Sequence, residues 1–373
     1  MKKKAQMNLD SFLITNNRRK QYFYIDWNSN DPKPVWLVKK PQNNSFSEVV
    51  NWYHIGDIIV CCKNRTDIIE IEPSTQKCLS EINSKLFDEN RQLLSFMKSH
   101  LQKCIRRQKA TEAIKSAKEL LLIDKNEFLR RICIIMFEDV HLKSYFTTLV
   151  WLMCACSKGY ILEEYHLDYI FKFVYDMALD DKYEQYDVAN TYDKLYVDKF
   201  IDQVNVNKKM TDEQKDILYC IILRISYGGM GFDLDMLGYF ARNYFKYFEN
   251  NQKEVVGIDE NLCRDINSKY VFGLKFEKKG DFLSQGVDFH CFPGIIKDIQ
   301  EATSFKYSDE KIKVCIWEYN SKINTRKDNS IDFKNYPNLN EVWDDIKTPL
   351  LQCQNLIITK MIEKLNNLHI GLE

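Results

Sequence analysis

The side chains in this sequence best suited to metal chemistry are an aspartate and a histidine with one residue between them. Asp288 and His290 lie in GVDFHCFPG, and both residue types ligate divalent cations. In an extended strand the two would share a face. Glu318, in CIWEYNSK, is a third candidate ligand, although it lacks the trailing-lysine spacing of nuclease cores. The plainer reading makes Asp288 a polar cap at the start of a helix that carries the apolar IIKDI. That reading is the expectation here, with no metal and no other cofactor. The chain contains no G-x-x-x-x-G-K-[ST] loop to cradle nucleotide phosphates, and no G-x-S-x-G or H-E-x-x-H. YGGMGFD, at 227–233, lacks the glycine spacing and the preceding strand of a dinucleotide site. A non-enzymatic role is therefore expected, with a metal-dependent enzyme acting on nucleic acid and a structural scaffold protein as the alternatives.

A second kind of chemistry is recognition. In QMNLDSFL, one helical turn places Leu9, Phe12 and Leu13 on the same side, with Gln6 free to bond backbone at a pocket rim. The octamer resembles the PIP box, the motif with which proteins dock on sliding clamps of the PCNA type. The family pattern is Gln-x-x-aliphatic-x-x-aromatic-aromatic, and Leu13 departs from it at the last position. Lys2, Lys3, Lys4, Arg18, Arg19 and Lys20 flank the octamer and suit an acidic clamp surface or nearby DNA. The bland alternative is a helical turn packed on its own domain.

A third constellation is SHLQKCIRRQKATEAIKSAKELLLIDKNEFLRRICIIMFEDVHL, residues 99–142. It resembles the C-terminal helical region of RarA/MgsA-type replication ATPases, relatives of the clamp-loader collar. The match rests on Leu101, Gln102, Lys103, Ile105, Arg106, Arg107, Ala113, Ala117, Arg130, Arg131, Glu138 and Asp139. The resemblance implies a helical, collar-like bundle that self-associates. The ATPase motor of that family has no counterpart here. Arg106, Arg107, Arg130 and Arg131 are candidates for DNA contact. Neighbouring arginines project about 100° apart on a helix, so only one of each pair can face a given partner. The alternative for them is ion pairing inside the fold, with Glu138, Asp139 or Asp124 as partners for Arg130 and Arg131.

These residues need elements to hold them. The chain has 373 residues, 45% hydrophobic and 28% charged, with 12 glycines and 7 prolines. That composition supports a packed core in more than one unit and favours helices over a turn-rich β fold. Lys+Arg and Asp+Glu are each 53, which excludes a uniformly basic coat but not a local patch. The 12 cysteines form no C-x-x-C pair and are expected to be buried, reduced thiols. Short β-rich runs such as QYFYIDW, PVWLVKK and GDIIVCC fill the stretch from Gln21 to Glu72. Helical periodicity follows in KATEAIKSAKELLLI, NEFLRRICIIMFEDV and TDEQKDILYCIILRIS.

The expected fold is mainly α with a small N-terminal β-rich unit. Its expected divisions are a tail at 1–20, a β-rich domain at 21–80, a helical domain at 81–250 and a mainly helical domain at 251–373. Residues 251–285 are expected to form a loop with a short strand pair, and helices apolar on several faces within 99–180 to self-associate. The longest apolar run, TTLVWLMCAC, is about half of what a membrane span needs, so no membrane is expected as a partner. Together these features predict a replication or repair accessory protein in a nucleus or viral replication compartment, otherwise in the cytoplasm. Its expected partners are a sliding clamp, DNA and a second copy of itself.

Overall fold

The computed structural model describes residues 20–29, 31–52, 56–65, 87–185, 197–251, 254–331, 333 and 335–370. In chain order its elements are β1 (Lys20–Asp26), β2 (Val35–Leu37), β3 (Phe46–Trp52), β4 (Gly56–Lys63), α1 (Phe87–Arg106), α2 (Ala110–Asp139), α3 (Phe146–Cys156), α4 (Glu164–Leu179), α5 (Val197–Val206), α6 (Asp212–Ser226), α7 (Gly231–Glu249), α8 (Ser268–Gly273), α9 (Gly294–Ala302), α10 (Asp309–Ile316) and α11 (Leu339–Ile370), with a π turn at Trp317–Ser321. The protein is mainly α with one small N-terminal sheet. Its contacts group into two units, each drawn from separate stretches of chain. The first combines the sheet with residues 150–160 and α5 to α7, and the second holds the remainder.

In the first unit the strand order is β2-β1-β4-β3. β1 and β4 run parallel in the middle, and β2 and β3 pair antiparallel on the outside. Alternation decides the faces. Phe23 and Ile25 in β1 align with Val60 and Cys62 in β4, and all four are fully buried. Trp36 stacks on Phe23 at 4.5 Å, and Tyr219 of α6 meets the edge of Trp36 at 5.7 Å. Trp151 is fully buried, and its indole N–H donates to the carbonyls of Phe23 (3.0 Å) and Cys61 (3.2 Å). The other face carries Tyr22, Tyr24 and Ile59, which are only half-buried, and between them the fully buried Cys61, in register with Tyr24.

Residues written in the sequence start α6 and turn the chain into α7. Thr211 caps α6: its hydroxyl accepts from Gln214 N at 3.2 Å, while the Gln214 side chain accepts from Thr211 N at 3.0 Å. The glycines of YGGMGFD form the turn between α6 and α7, where Gly228 takes φ +72° and Gly229 φ +152°. One turn into α6, Asp216 is half-buried. Burial, then the charges of Asp212 and Glu213, push its pKa from 3.8 up to about 7. A raised carboxyl pKa adds stability at low pH that is lost as pH rises through the folded value. Asp216→Asn should therefore stabilise the protein at pH 8 by on the order of 1 kcal/mol, with the gain gone below about pH 4. Melting temperatures across that range are the check, and an equal gain at both ends would rule out a titration effect.

In the second unit α1 packs along α2, and α2 packs on α4. The helical geometry of α2 breaks at Asp124 (φ −158°, ψ 99°). The Asp124 carboxylate accepts from Asn126 N (2.9 Å) and Glu127 N (3.0 Å), capping a second helical segment. KATEAIKSAKELLLI and NEFLRRICIIMFEDV are thus separate helical stretches, as their periodicity predicts. Residues 254–285 differ from expectation. Where a strand pair was expected, the described residues hold the short α8, two 3-10 turns and an isolated bridge from Lys143 to Val256. The Asn267 side chain accepts from Tyr270 N at 2.9 Å, so a local cap diverts this stretch into a helical turn. Gly286 marks a close approach: a Cβ there would lie 2.7 Å from His100 Cδ2.

From Leu149 to Cys156 every residue of α3 is buried. No described helix is long and apolar enough to cross a membrane.

Candidate functional site

Five of the twelve residues on which the collar resemblance rests, Gln102, Arg106, Arg131, Glu138 and Asp139, meet in the second unit as one buried polar node. Lys103 and Arg106 occupy the last turn of α1, where cations suit the helix dipole. Glu138 and Asp139 end α2. Arg106 spends all three guanidinium nitrogens inside the fold. Nε bonds Asp139, the second nitrogen bonds Glu138 at 2.6 Å, and the third bonds the carbonyl of Ser321 at 3.0 Å. Gln102 donates to the other Asp139 oxygen at 2.8 Å and accepts from Arg131, which also reaches Glu138 at 3.4 Å.

Charge in the node is tuned by its members. Burial alone would lower the Arg106 pKa, but Asp139 and Glu138 outweigh it and hold the pKa above the usual arginine value. Burial likewise opposes ionisation of Glu138, yet Arg106 and Arg131 keep its pKa below the ordinary glutamate value. Lys103 is lowered by burial and by Arg106.

The geometry separates each arginine pair, as the rotation between neighbours requires. Arg106 and Arg131 point into the node. Arg107 instead donates to the carbonyl of Asn320 in the π turn, and burial followed by Arg106 lowers its pKa to about 10. Arg130 is 37% exposed and lies 3.9 Å from Glu127. Lys20 is exposed at the start of β1. Gln6, Leu9, Phe12, Leu13, Lys2, Lys3, Lys4, Arg18 and Arg19 lie outside the described residues.

Asp288 and His290 sit in a turn, not a strand. Asp288 is 2% exposed, and one of its oxygens accepts from His290 N (3.0 Å) and His290 Nδ1 (2.7 Å). The other lies 3.5 Å from Lys103 Nζ. Burial opposes its ionisation, but the His290 bond and Lys103 hold its pKa well below the usual aspartate range. Its capping role is local: α9 begins beyond it at Gly294, after Pro293, with no side-chain cap. Glu318 bonds Lys322 at 2.6 Å. Among the described residues no three His, Cys, Asp or Glu side chains form a group that could hold a metal ion.

Three features escape a reading of sequence patterns. Arg326 caps two helix ends at once, donating to Ile105 O (2.7 Å) at the end of α1 and to Met177 O (2.9 Å) and Ala178 O (3.1 Å) at the end of α4. A buried cluster joins Lys143 to Asp176 (3.2 Å) and Asp180 (2.7 Å), with Tyr145 bonded to Asp176 at 2.9 Å and His141 3.0 Å from Asp180. A cavity of about 260 Å³ is lined by Glu119, Phe276, Leu365 and His369 among others. Glu119, 1% exposed, is shared between Lys118 (2.9 Å) and His369 (2.7 Å). Each depends on a partner distant in sequence: Arg326 on Ile105, Lys143 on Asp176, and Glu119 on His369.

No protein-family model matches the chain, and neither the curated proteins nor the solved structures include a match to it. The geometry itself describes a frame: arginines and carboxylates that lock helices together, with their hydrogen-bonding capacity turned inward.

Proposed function

We propose that this chain is a non-catalytic accessory protein of DNA replication or repair, docked on a sliding clamp through QMNLDSFL, with the helical second unit as its rigid frame. The observation that carries the reading is the node. Gln102, Arg106, Arg131, Glu138 and Asp139, five residues of the resemblance to the replication ATPases, bond to one another. Their spacing serves ion pairing that locks α1 to α2, which supports a rigid helical frame in this reading. With Arg106 and Arg131 committed inside, DNA contact in this reading falls to outward cations such as Lys20 and Arg130 and to the basic residues beside the octamer. The expected compartment is a nucleus or a viral replication site.

The test is clamp binding by the full chain. Leu9→Ala/Phe12→Ala removes two plug side chains, each contributing roughly 1.5–3 kcal/mol when buried. Affinity for a PCNA-type clamp should fall at least about tenfold. Leu13→Phe restores the aromatic pair of the motif and should tighten binding. Equal clamp affinity of the double variant and the wild type would remove the tether from the proposal.

A further inference from the structure

We propose that the open face of the first unit's sheet binds single-stranded nucleic acid, with Tyr22 and Tyr24 as stacking rings. The inference takes its setting from the accessory-protein reading above, but its geometry is independent of the clamp motif. Register places Leu37, Tyr22, Ile59 and Val49 in one row across all four strands. Val35 and Tyr24 begin the next row. The solvated face of a sheet is ordinarily polar. Here Val35 is 41% and Val49 47% exposed, while Tyr22, Tyr24 and Ile59 are half-buried. The opposite face is already filled by Trp36 and Trp151.

Two further observations select the occupant. Among the described residues neither tyrosine ring has an aromatic partner and neither hydroxyl has a hydrogen bond, in contrast to Tyr145, Tyr160 and Tyr219 of the same chain. Along one strand, residues two apart are roughly 6.6 Å apart, nearly twice the 3.4 Å base step of a duplex strand. Rings at that interval suit bases that are spread apart, as in an extended single strand.

Charge points the same way. Lys20 and Lys63 belong to this face by alternation, and Lys39 and Lys40 stand exposed just beyond β2. Facing them are Asp57, in register with Lys20, and Asp26, 3.9 Å from Lys63 in a pair about 40% exposed on both sides. Lys20 and Lys63 are balanced by Asp57 and Asp26, so the surplus positive charge is that of Lys39 and Lys40, two and three residues beyond Leu37, a basic edge beside an aromatic centre of the kind that tracks a phosphate backbone while bases stack.

The experiment is fluorescence anisotropy at low salt with the full chain and three labelled probes: a short oligo(dT), an oligo(U) of equal length and a duplex. Saturable binding of a single strand, tighter than the duplex, is expected, and the oligo(dT) and oligo(U) arms decide between DNA and RNA. Tyr22→Ala/Tyr24→Ala should weaken it at least about tenfold, whereas Tyr22→Phe/Tyr24→Phe should stay within about twofold because the ring faces remain. Photocrosslinking of the wild-type chain to an oligonucleotide carrying 5-iododeoxyuridine gives a readout free of folding defects, and the adduct should map to residues 20–26. Absence of saturable binding, equal or tighter duplex binding, unchanged affinity of the alanine pair or crosslinks confined elsewhere would each overturn the proposal. Leu9→Ala/Phe12→Ala should bind oligonucleotide like wild type, so a failed clamp interaction and a failed sheet site give separate results.

Discussion

Asp139→Ala should destabilise the protein by about 3–5 kcal/mol, the range expected when one partner of a buried ion pair is removed. Asp139 is fully buried and holds both Arg106 and Gln102. Its loss leaves Arg106, whose side chain is 6% exposed, with Glu138 and a single carbonyl. The guanidinium cannot escape by losing its proton. Asp139→Asn keeps an acceptor and most of the shape, so it should cost less. Replacing both partners by apolar residues, as in Arg106→Met/Asp139→Leu, should recover part of the loss, because two desolvation penalties vanish together. Urea unfolding is the measurement, with the midpoint falling while the slope stays constant. A loss below about 1 kcal/mol for Asp139→Ala would mean the node does not hold α1 to α2.

Local structure was legible wherever it depended on neighbours in sequence. Alternation in QYFYIDW is enough to assign Phe23 and Ile25 to one face. Asp124 was expected as an ion-pair partner of Arg130 or Arg131; its carboxylate instead caps the chain at Asn126 and Glu127, where α2 breaks. The grouping of α5 to α7 with the sheet has no such signal, since it depends on contacts such as that between Trp36 and Tyr219. The strand pair expected before Gly286 failed for a related reason: the irregular polarity of that stretch is equally served by Asn267 capping a single helical turn.

The same division runs through the functional residues. Rotation about a helix axis shows that Arg106 and Arg107 must diverge, but not which of them turns inward. That is decided by where Asp139 lies, and Asp139 reaches Arg106 only after α1 and α2 have packed. Arg326 is the extreme case. In the sequence it is one cation in a polar loop, yet in the fold it satisfies carbonyls from two helices that end beside it. Tyr22 and Tyr24 were visible as β-formers, while their lack of partners among the described residues emerges only from the fold.

Trp151→Ala should cost about 3–5 kcal/mol, as large-to-small changes of buried aromatics do. Trp151 is fully buried, meets Trp27 edge-on at 5.8 Å and Tyr160 at 5.2 Å, and supports the packed face of the sheet. Its N–H is the second part of its role, because it bridges carbonyls on the two central strands. Trp151→Phe separates the parts: the ring is largely retained and the donor is lost. It should cost about 1–3 kcal/mol, the range for leaving buried polar groups short of a partner. Denaturant unfolding followed by far-UV circular dichroism compares the two variants. If Phe were as damaging as Ala, the bridging hydrogen bond would outweigh the packing. If Phe were neutral, the two strand carbonyls would be satisfied by the sheet ladder alone, and Trp151 would act through its volume.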